Sequence, residues 1–258
     1  MDSQPQSFLE PGNQLSSIKH VIAVMSGKGG VGKSSVAALL ALGLQQSGKR
    51  VGILDADITG PSIPTLVGAT GRPEASELGL FPAKSASGLL VMSLNLLLDQ
   101  TDQPVIWRGP LIAGAIKQFW NEVVWGDLDY LIVDLPPGTG DAPLTVLQSL
   151  PLDGVVIVSS PQDLAVMVVR KAIRMAQSMN VRILGLVENM SYLKCPHCEE
   201  VLEPFGPSQG EAVTDAEGIP FWGRLPLEPN LRSLADAGRL HEYRNGTVEQ
   251  MVEQIVGR

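Results

Sequence analysis

The stretch Val21-Ile22-Ala23-Val24-Met25-Ser26-Gly27-Lys28-Gly29-Gly30-Val31-Gly32-Lys33-Ser34 decides the architecture. Val21 to Ser26 reads as a short buried strand. Gly27 to Ser34 fits G-x-x-x-x-G-K-[ST] at every fixed position. Ser34 to Gln46 is rich in Ala and Leu and stops before Gly48, which predicts a helix. Strand, glycine loop and helix in that order form a phosphate cradle. Glycines let the backbone curl until several N–H groups face one phosphate, and the helix dipole adds attraction. Lys33 is expected to reach the terminal phosphates of ATP and the Ser34 hydroxyl to ligate Mg²⁺. Gly27, Lys28, Gly29, Gly30, Val31, Gly32 and Ser35 complete the expected nucleotide loop.

Outward from this loop, short apolar runs alternate with helical patterns. Strands are expected at Arg50–Asp55, Leu89–Leu94, Tyr130–Asp134, Val155–Ser159, Ile183–Glu188 and Phe221–Arg224. Helices are expected at Leu111–Trp125, Asp141–Leu150 and Leu164–Met179, and near 230–237 and 247–256. Residues 57–88 read as a long functional loop with short elements, and residues 190–218 as irregular. This alternation predicts an α/β fold, a mostly parallel sheet with helices on both faces. Residues 1–17 are polar and without period, so a flexible N-terminal tail is expected there. Residues 18–258 are expected to form a single ATPase domain, with a metal-binding C-x-x-C segment near 190–205.

The chain has 258 residues, 44% of them hydrophobic and 18% charged, which fits a globular protein with a sizeable core. Its formal net charge of -8 disfavours nucleic acid and anionic membrane as partners. No apolar run reaches the roughly 18 residues of a membrane span, and no signal peptide is evident, so a cytoplasmic location is expected.

Two further clusters carry chemistry. Asp55-Ala56-Asp57 closes the second strand, and Asp134 closes the apolar run Tyr130-Leu131-Ile132-Val133. Ligands gather at the carboxyl ends of parallel strands, which puts these carboxylates at the phosphate edge. An apolar strand closing on an aspartate is the pattern that supports Mg²⁺ beside a phosphate loop, and Asp55 and Asp134 are both taken as candidate metal residues. Pro136-Pro137-Gly138-Thr139-Gly140-Asp141 then suits a loop that senses the γ-phosphate. Cys195-Pro196-His197-Cys198 holds both cysteines of the chain. Two thiolates supply half of a four-coordinate site, and a two-fold dimer would bring four together, a set that suits one [4Fe–4S] cluster. Zinc on the same thiolates, thiol–disulfide exchange and inert free thiols are the alternatives, and His197 is read as a bystander.

The extra lysine, Lys28, makes the loop resemble those of the deviant Walker A ATPases, the group of the nitrogenase iron protein, MinD and ParA. The resemblance implies that Lys28 reaches the nucleotide of a partner subunit in an ATP-sandwich homodimer. It also implies that Asp57 positions the attacking water and that Asn189 reads adenine. Taken with Asp55-Ala56-Asp57-Ile58-Thr59-Gly60-Pro61-Ser62, Trp107-Arg108-Gly109-Pro110, Asp134 to Asp141, Glu188-Asn189-Met190-Ser191 and the cysteine pair, the chain resembles the Mrp/ApbC family. That resemblance implies an ATPase that carries a labile cluster between two subunits and delivers it to apo iron–sulfur proteins. Residues 1–20 lack cysteine, so no second cluster is implied. Nucleotide-dependent change at Asp134–Asp141 is expected to alter how the four thiolates hold the metal. The competing reading is a positioning ATPase like MinD or ParA. Against it, no Lys/Arg cluster is present, and the C-terminal apolar positions Val248, Met251, Val252, Ile255 and Val256 back onto an acidic face that suits docking on the core.

Overall fold

The computed structural model describes residues 9–58, 60–98, 109–164 and 167–257. In chain order the elements are β1 (Ser17–Ser26), α1 (Lys33–Gln46), β2 (Val51–Asp55), α2 (Ile63–Val67), β3 (Glu74–Ser76), β4 (Gly79–Phe81), β5 (Ala83–Lys84) and β6 (Leu90–Ser93). They continue with α3 (Gly109–Glu122), β7 (Asp127–Asp134), α4 (Asp141–Ser149), β8 (Gly154–Ser159), α5 (Pro161–Leu164), α6 (Met167–Ser178), β9 (Ile183–Lys194) and β10 (Val201–Leu202). The last are α7 (Gly210–Glu217), β11 (Phe221–Pro226), α8 (Pro229–Asp236) and α9 (Gly246–Val256).

The main sheet runs β10-β9-β8-β1-β7-β2-β6-β5, with β11 also on β9. Every pairing between β6 and β11 through the centre is parallel; β5 and β10 alone run antiparallel to their neighbours. The central strands are buried along nearly their whole length, as the continuous apolar run of β8 requires of a sheet covered on both faces. One face is covered by α1, α2 and α9 and the other by α3, α4 and α6, each with its own apolar cluster. The expected α/β fold is thus present. α9 buries Val248, Met251, Val252 and Ile255, so its apolar stripe is used inside the fold.

Three regions depart from the sequence expectation. The stretch expected as a loose tail is tied down from Glu10 onward: Glu10 N–H donates to the Ser149 carbonyl at 2.9 Å, Lys117 Nζ meets Glu10 Oε1 at 2.7 Å, and Trp120 Nε1 donates to the Glu10 carbonyl. Its partners lie over 100 positions away, beyond the reach of any local pattern. The segment 57–88, by contrast, carries short elements as expected, α2 and the β3–β4 hairpin among them. α3 ends three residues before the expected Trp125, because Val124 N–H is drawn to the Leu80 carbonyl. Finally, β9 does not stop at Glu188 but runs on to Lys194 and folds back through β10, so the segment expected to be irregular begins as a hairpin. The expected helix at Leu164–Met179 is seen as α5 and α6 on either side of 165 and 166, which lie outside the described residues.

Candidate functional site

Three strand ends converge. β7 lies between β1 and β2, and its register pairs Asp134 with Val24 on one side and with Asp55 on the other. The loop leaving β1 therefore opens onto both aspartates. Gly30 and Gly32 take φ of 85° and 78°, left-handed values that glycine adopts without steric cost. Gly27 has a second reason to lack a side chain: a Cβ there would lie 2.5 Å from the Val168 carbonyl oxygen of α6.

The loop, Asp57 and the segment after β7 enclose a cleft of about 260 Å³, lined by Gly29, Gly30, Gly32, Lys33, Ser34, Ser35 and Asp57 and also by Ser26, Ser62, Leu66 and Pro137. Lys33 is only 5% exposed. Its Nζ lies 2.7 Å from Asp134 Oδ1, 3.6 Å from Asp57 Oδ2 and 3.4 Å from Ser34 Oγ. Burial pushes the Asp134 carboxyl up, with the Lys33 ammonium and the Ser34 hydroxyl working the other way. Asp134 Oδ2 is buried and has no hydrogen-bond partner among the described residues. Such an oxygen calls for a cation or a bound water. Asp55 is held well above the usual carboxylate range, first by burial and then by the facing Asp134. Both its oxygens are occupied: Oδ1 accepts from Asp57 N–H, and Oδ2 from Ile63 N–H and Ser93 Oγ. Gly138, at φ 89°, donates its N–H to the Ser26 carbonyl, which ties the loop after β7 to the end of β1.

Lys28 is an exposed residue of the glycine loop. Asn189 is buried, and its Nδ2 donates to the Val31 carbonyl at 2.9 Å. The structure thus places it under the phosphate loop, with its carbonyl oxygen left for other contacts. Cys195 and Cys198 sit in the turn between β9 and β10, apart from the cleft. The turn is closed by Cys195 N–H to the Glu200 carbonyl and by Glu199 N–H to the Cys195 carbonyl, both at 2.9 Å. Backbone N–H groups of His197 and Cys198 point at the Cys195 sulfur and lower its pKa. Among the described residues no third Cys, His, Asp or Glu joins the pair in a metal-holding group. Ser93, Ser62, Leu66 and the Val31 contact of Asn189 were not singled out as site features from sequence. Ser62 stood inside a quoted motif; for Ser93 no local signal exists. Thr59, Trp107 and Arg108 of the quoted motifs lie outside the described residues.

A family model described as ParA: NUBPL iron-transfer P-loop NTPase matches residues 17–258. The chain belongs to that family. Within it, the chain is 45% identical over 254 residues to an iron-sulfur cluster carrier protein of Methanocaldococcus jannaschii, covering 95% of this chain and 88% of the relative. It is 43% identical over 245 residues to the human cytosolic Fe-S cluster assembly factor NUBP2, covering 92% and 89%. A nucleotide-binding protein of Archaeoglobus fulgidus, solved in complex with ADP, superposes with a TM-score of 0.81 at 48% identity over 90% of this chain and 91% of that one. The MinD cell division ATPase of Pyrococcus furiosus superposes with a TM-score of 0.61 at 19% identity, over 93% and 99%, and shares the fold. As a member of the iron-transfer P-loop NTPases, the chain has the P-loop sequence pattern at Gly27–Ser34 and a cysteine pair on a separate hairpin.

Proposed function

We propose that this protein is an ATP-hydrolysing carrier of a [4Fe–4S] cluster, holding the cluster as cargo between two subunits and passing it to apo iron–sulfur proteins in the cytoplasm. The observation that carries the reading is the presence, in one chain, of a Lys33–Asp57–Asp134 cleft and a two-thiol hairpin with no further ligand beside it among the described residues. Two thiolates leave a four-iron cluster half-ligated, so a second copy of the hairpin completes the set. The names of the archaeal and human relatives support the cargo.

At the nucleotide end, Lys33 leaves Asp134 and meets the β- and γ-phosphates, and the backbone from Gly27 to Gly32 encloses them. The bare, buried Asp134 Oδ2 and the Ser34 hydroxyl fit Mg²⁺. Magnesium bound there would neutralise phosphate charge. Asp55, with both oxygens already accepting, fits better as the support of Asp57 than as a ligand. Asp57 orients the water that attacks the γ-phosphorus. Lys28 extends toward the nucleotide of the partner subunit, and Asn189 offers its remaining oxygen to the adenine side. Zinc bridging the same four thiolates is the reading the cysteine geometry also fits, since zinc and iron–sulfur sites share such turns.

The test is anaerobic reconstitution with iron and sulfide, alongside the Lys33→Ala variant. The expected result is a brown dimer with about four irons and four sulfides per two chains, the content of one all-cysteine cluster. Lys33→Ala should load the same cluster and lose ATP binding or hydrolysis. Zinc without sulfide in the reconstituted dimer, or full ATP turnover in the variant, would overturn the respective half of the proposal.

A further inference from the structure

The two sites are joined by one strand. Asn189 of β9 bonds to Val31 of the phosphate loop, and the contact is close: a Cβ on Gly32 would lie 2.2 Å from Asn189 Nδ2 and 3.4 Å from Met190 Cε. Six residues further on, just past the end of that strand, stands Cys195, roughly 20 Å away at strand rise. Between them the strand is not regular. Met190 takes φ of 56°, a left-handed value uncommon for a residue with a side chain, and β9 shifts register against β11 over this stretch.

The irregular stretch is held by a charge network that nucleotide chemistry does not use. Glu188 is fully buried, its Oε2 accepting from the Ser191 hydroxyl and its Oε1 from Gln209 N–H at the start of α7. Arg224, from β11, closes the group. Its Nε donates to Ser191 Oγ at 2.7 Å and lies 3.7 Å from Glu188 Oε2. Its Nη2 reaches Glu203 Oε1, just past β10, and its guanidinium stacks over the Tyr192 ring at 5.3 Å. Arg224 thereby grips β9, the residue just past β10 and the buried carboxylate next to Asn189. A bidentate, planar cation suits this task because it fixes direction as well as distance.

We propose that Arg224 is a positioning residue that locks the Cys195–Cys198 hairpin to the β9 segment under the phosphate loop, so that nucleotide binding at Gly32 changes the accessibility and grip of the two thiols. The lever serves the carrier function proposed above and rests on that reading for its purpose, though not for its geometry. It places the route between the sites in β9 rather than in the loop after β7, which is bonded to the end of β1.

The experiment measures alkylation rates of Cys195 and Cys198 in the reduced, cluster-free full chain, with and without Mg·ATP, at matched oligomeric state. Wild type is compared with Arg224→Gln, Arg224→Lys and Glu203→Gln, and ATP affinity is measured on each. Wild type should show a nucleotide effect of about five-fold or more, the lower end of ordinary site-to-site coupling. Arg224→Gln and Glu203→Gln should cut that ratio below about two-fold while ATP affinity is unchanged, and Arg224→Lys should restore part of it. Should Arg224→Gln not fold, the half-exposed Glu203→Gln carries the comparison. A wild-type ratio near one, or an undiminished ratio in Glu203→Gln, would overturn the lever. Iron and sulfide loading of the same preparations reads the carrier function separately: nucleotide-sensitive thiols that take up no cluster support the lever and sink only the cargo.

Discussion

Asp55 and Asp57 stand two residues apart and differ in what their oxygens face. Asp55 has both oxygens engaged by Asp57 N–H, Ile63 N–H and Ser93 Oγ, whereas Asp57 lines the cleft beside Lys33. Asp57→Asn keeps the shape and removes the charge that orients water, so ATP should still bind while turnover falls by about tenfold or more. Wild-type turnover would move the role to another group. Cys195 makes a second residue-scale prediction. The N–H groups of His197 and Cys198 stabilise its thiolate, so the thiolate is present at lower pH than for an ordinary thiol. In Cys198→Ser those N–H groups remain, and the pH midpoint for alkylation of Cys195 should lie below the ordinary value of about 8.5. A midpoint at or above that value would show that the turn does not activate the sulfur. At this scale the phosphate loop was legible because its residues are consecutive and each has one physical reason to be there. The Val31 contact of Asn189 and the part played by Ser93 were not, since the partners Val31 and Asp55 lie 158 and 38 positions away.

At the scale of elements, the central strands were legible as apolar runs because burial on both faces leaves no alternative composition. The extension of β9 was not: Ser191, Tyr192 and Lys194 show no strand pattern, and what holds this stretch there is a hairpin with β10 and pairing with the more distant β11. Short elements were expected in 57–88, but α2 could not be placed within it, being too brief to show a period. It is bounded by Pro64 at its start and by Gly68 at φ 67°, whose missing Cβ would meet the Gly238 carbonyl oxygen at 2.4 Å. The α1–α9 crossing gives an element-scale prediction. Gly43 lies mid-helix in α1, where alanine would ordinarily help by up to about 1 kcal/mol. Here a Cβ would stand 2.7 Å from Val252 Cγ2 of α9. Val252 is β-branched and stiff, so the overlap should win and Gly43→Ala should destabilise by about 1–3 kcal/mol. Val252→Ala in the same background should recover part of the loss in chemical denaturation. Equal losses in single and double variants would mean that the helices do not touch through this pair.

At the scale of the whole molecule, cluster and dimer are expected to be thermodynamically linked. Each chain offers two thiols and, among the described residues, no further metal-binding group beside them. A four-cysteine cluster therefore binds the dimer and not the monomer, and any ligand with that preference shifts the association equilibrium toward the dimer by mass action. The shift is large when the cluster is tight: a ligand at about 100 times its dissociation constant contributes about 2.7 kcal/mol, close to a hundredfold in dimer affinity. Cys195→Ala should remove the cluster and this contribution together, leaving whatever dimerisation ATP alone supports through the exposed Lys28. Because the cysteines sit on a hairpin apart from the cleft, the same variant should bind ATP as wild type does. Anaerobic sedimentation over a range of protein concentrations, with iron analysis of each species, reads both halves. One cluster per monomer, or a wild-type dimer no tighter with cluster than without, would show that the four thiolates do not meet across the two-fold axis. A Cys195→Ala chain that dimerises with ATP but not with iron and sulfide would instead separate the two contributions, and would leave the nucleotide loop as the site that brings the subunits together before the cysteines close on their cargo.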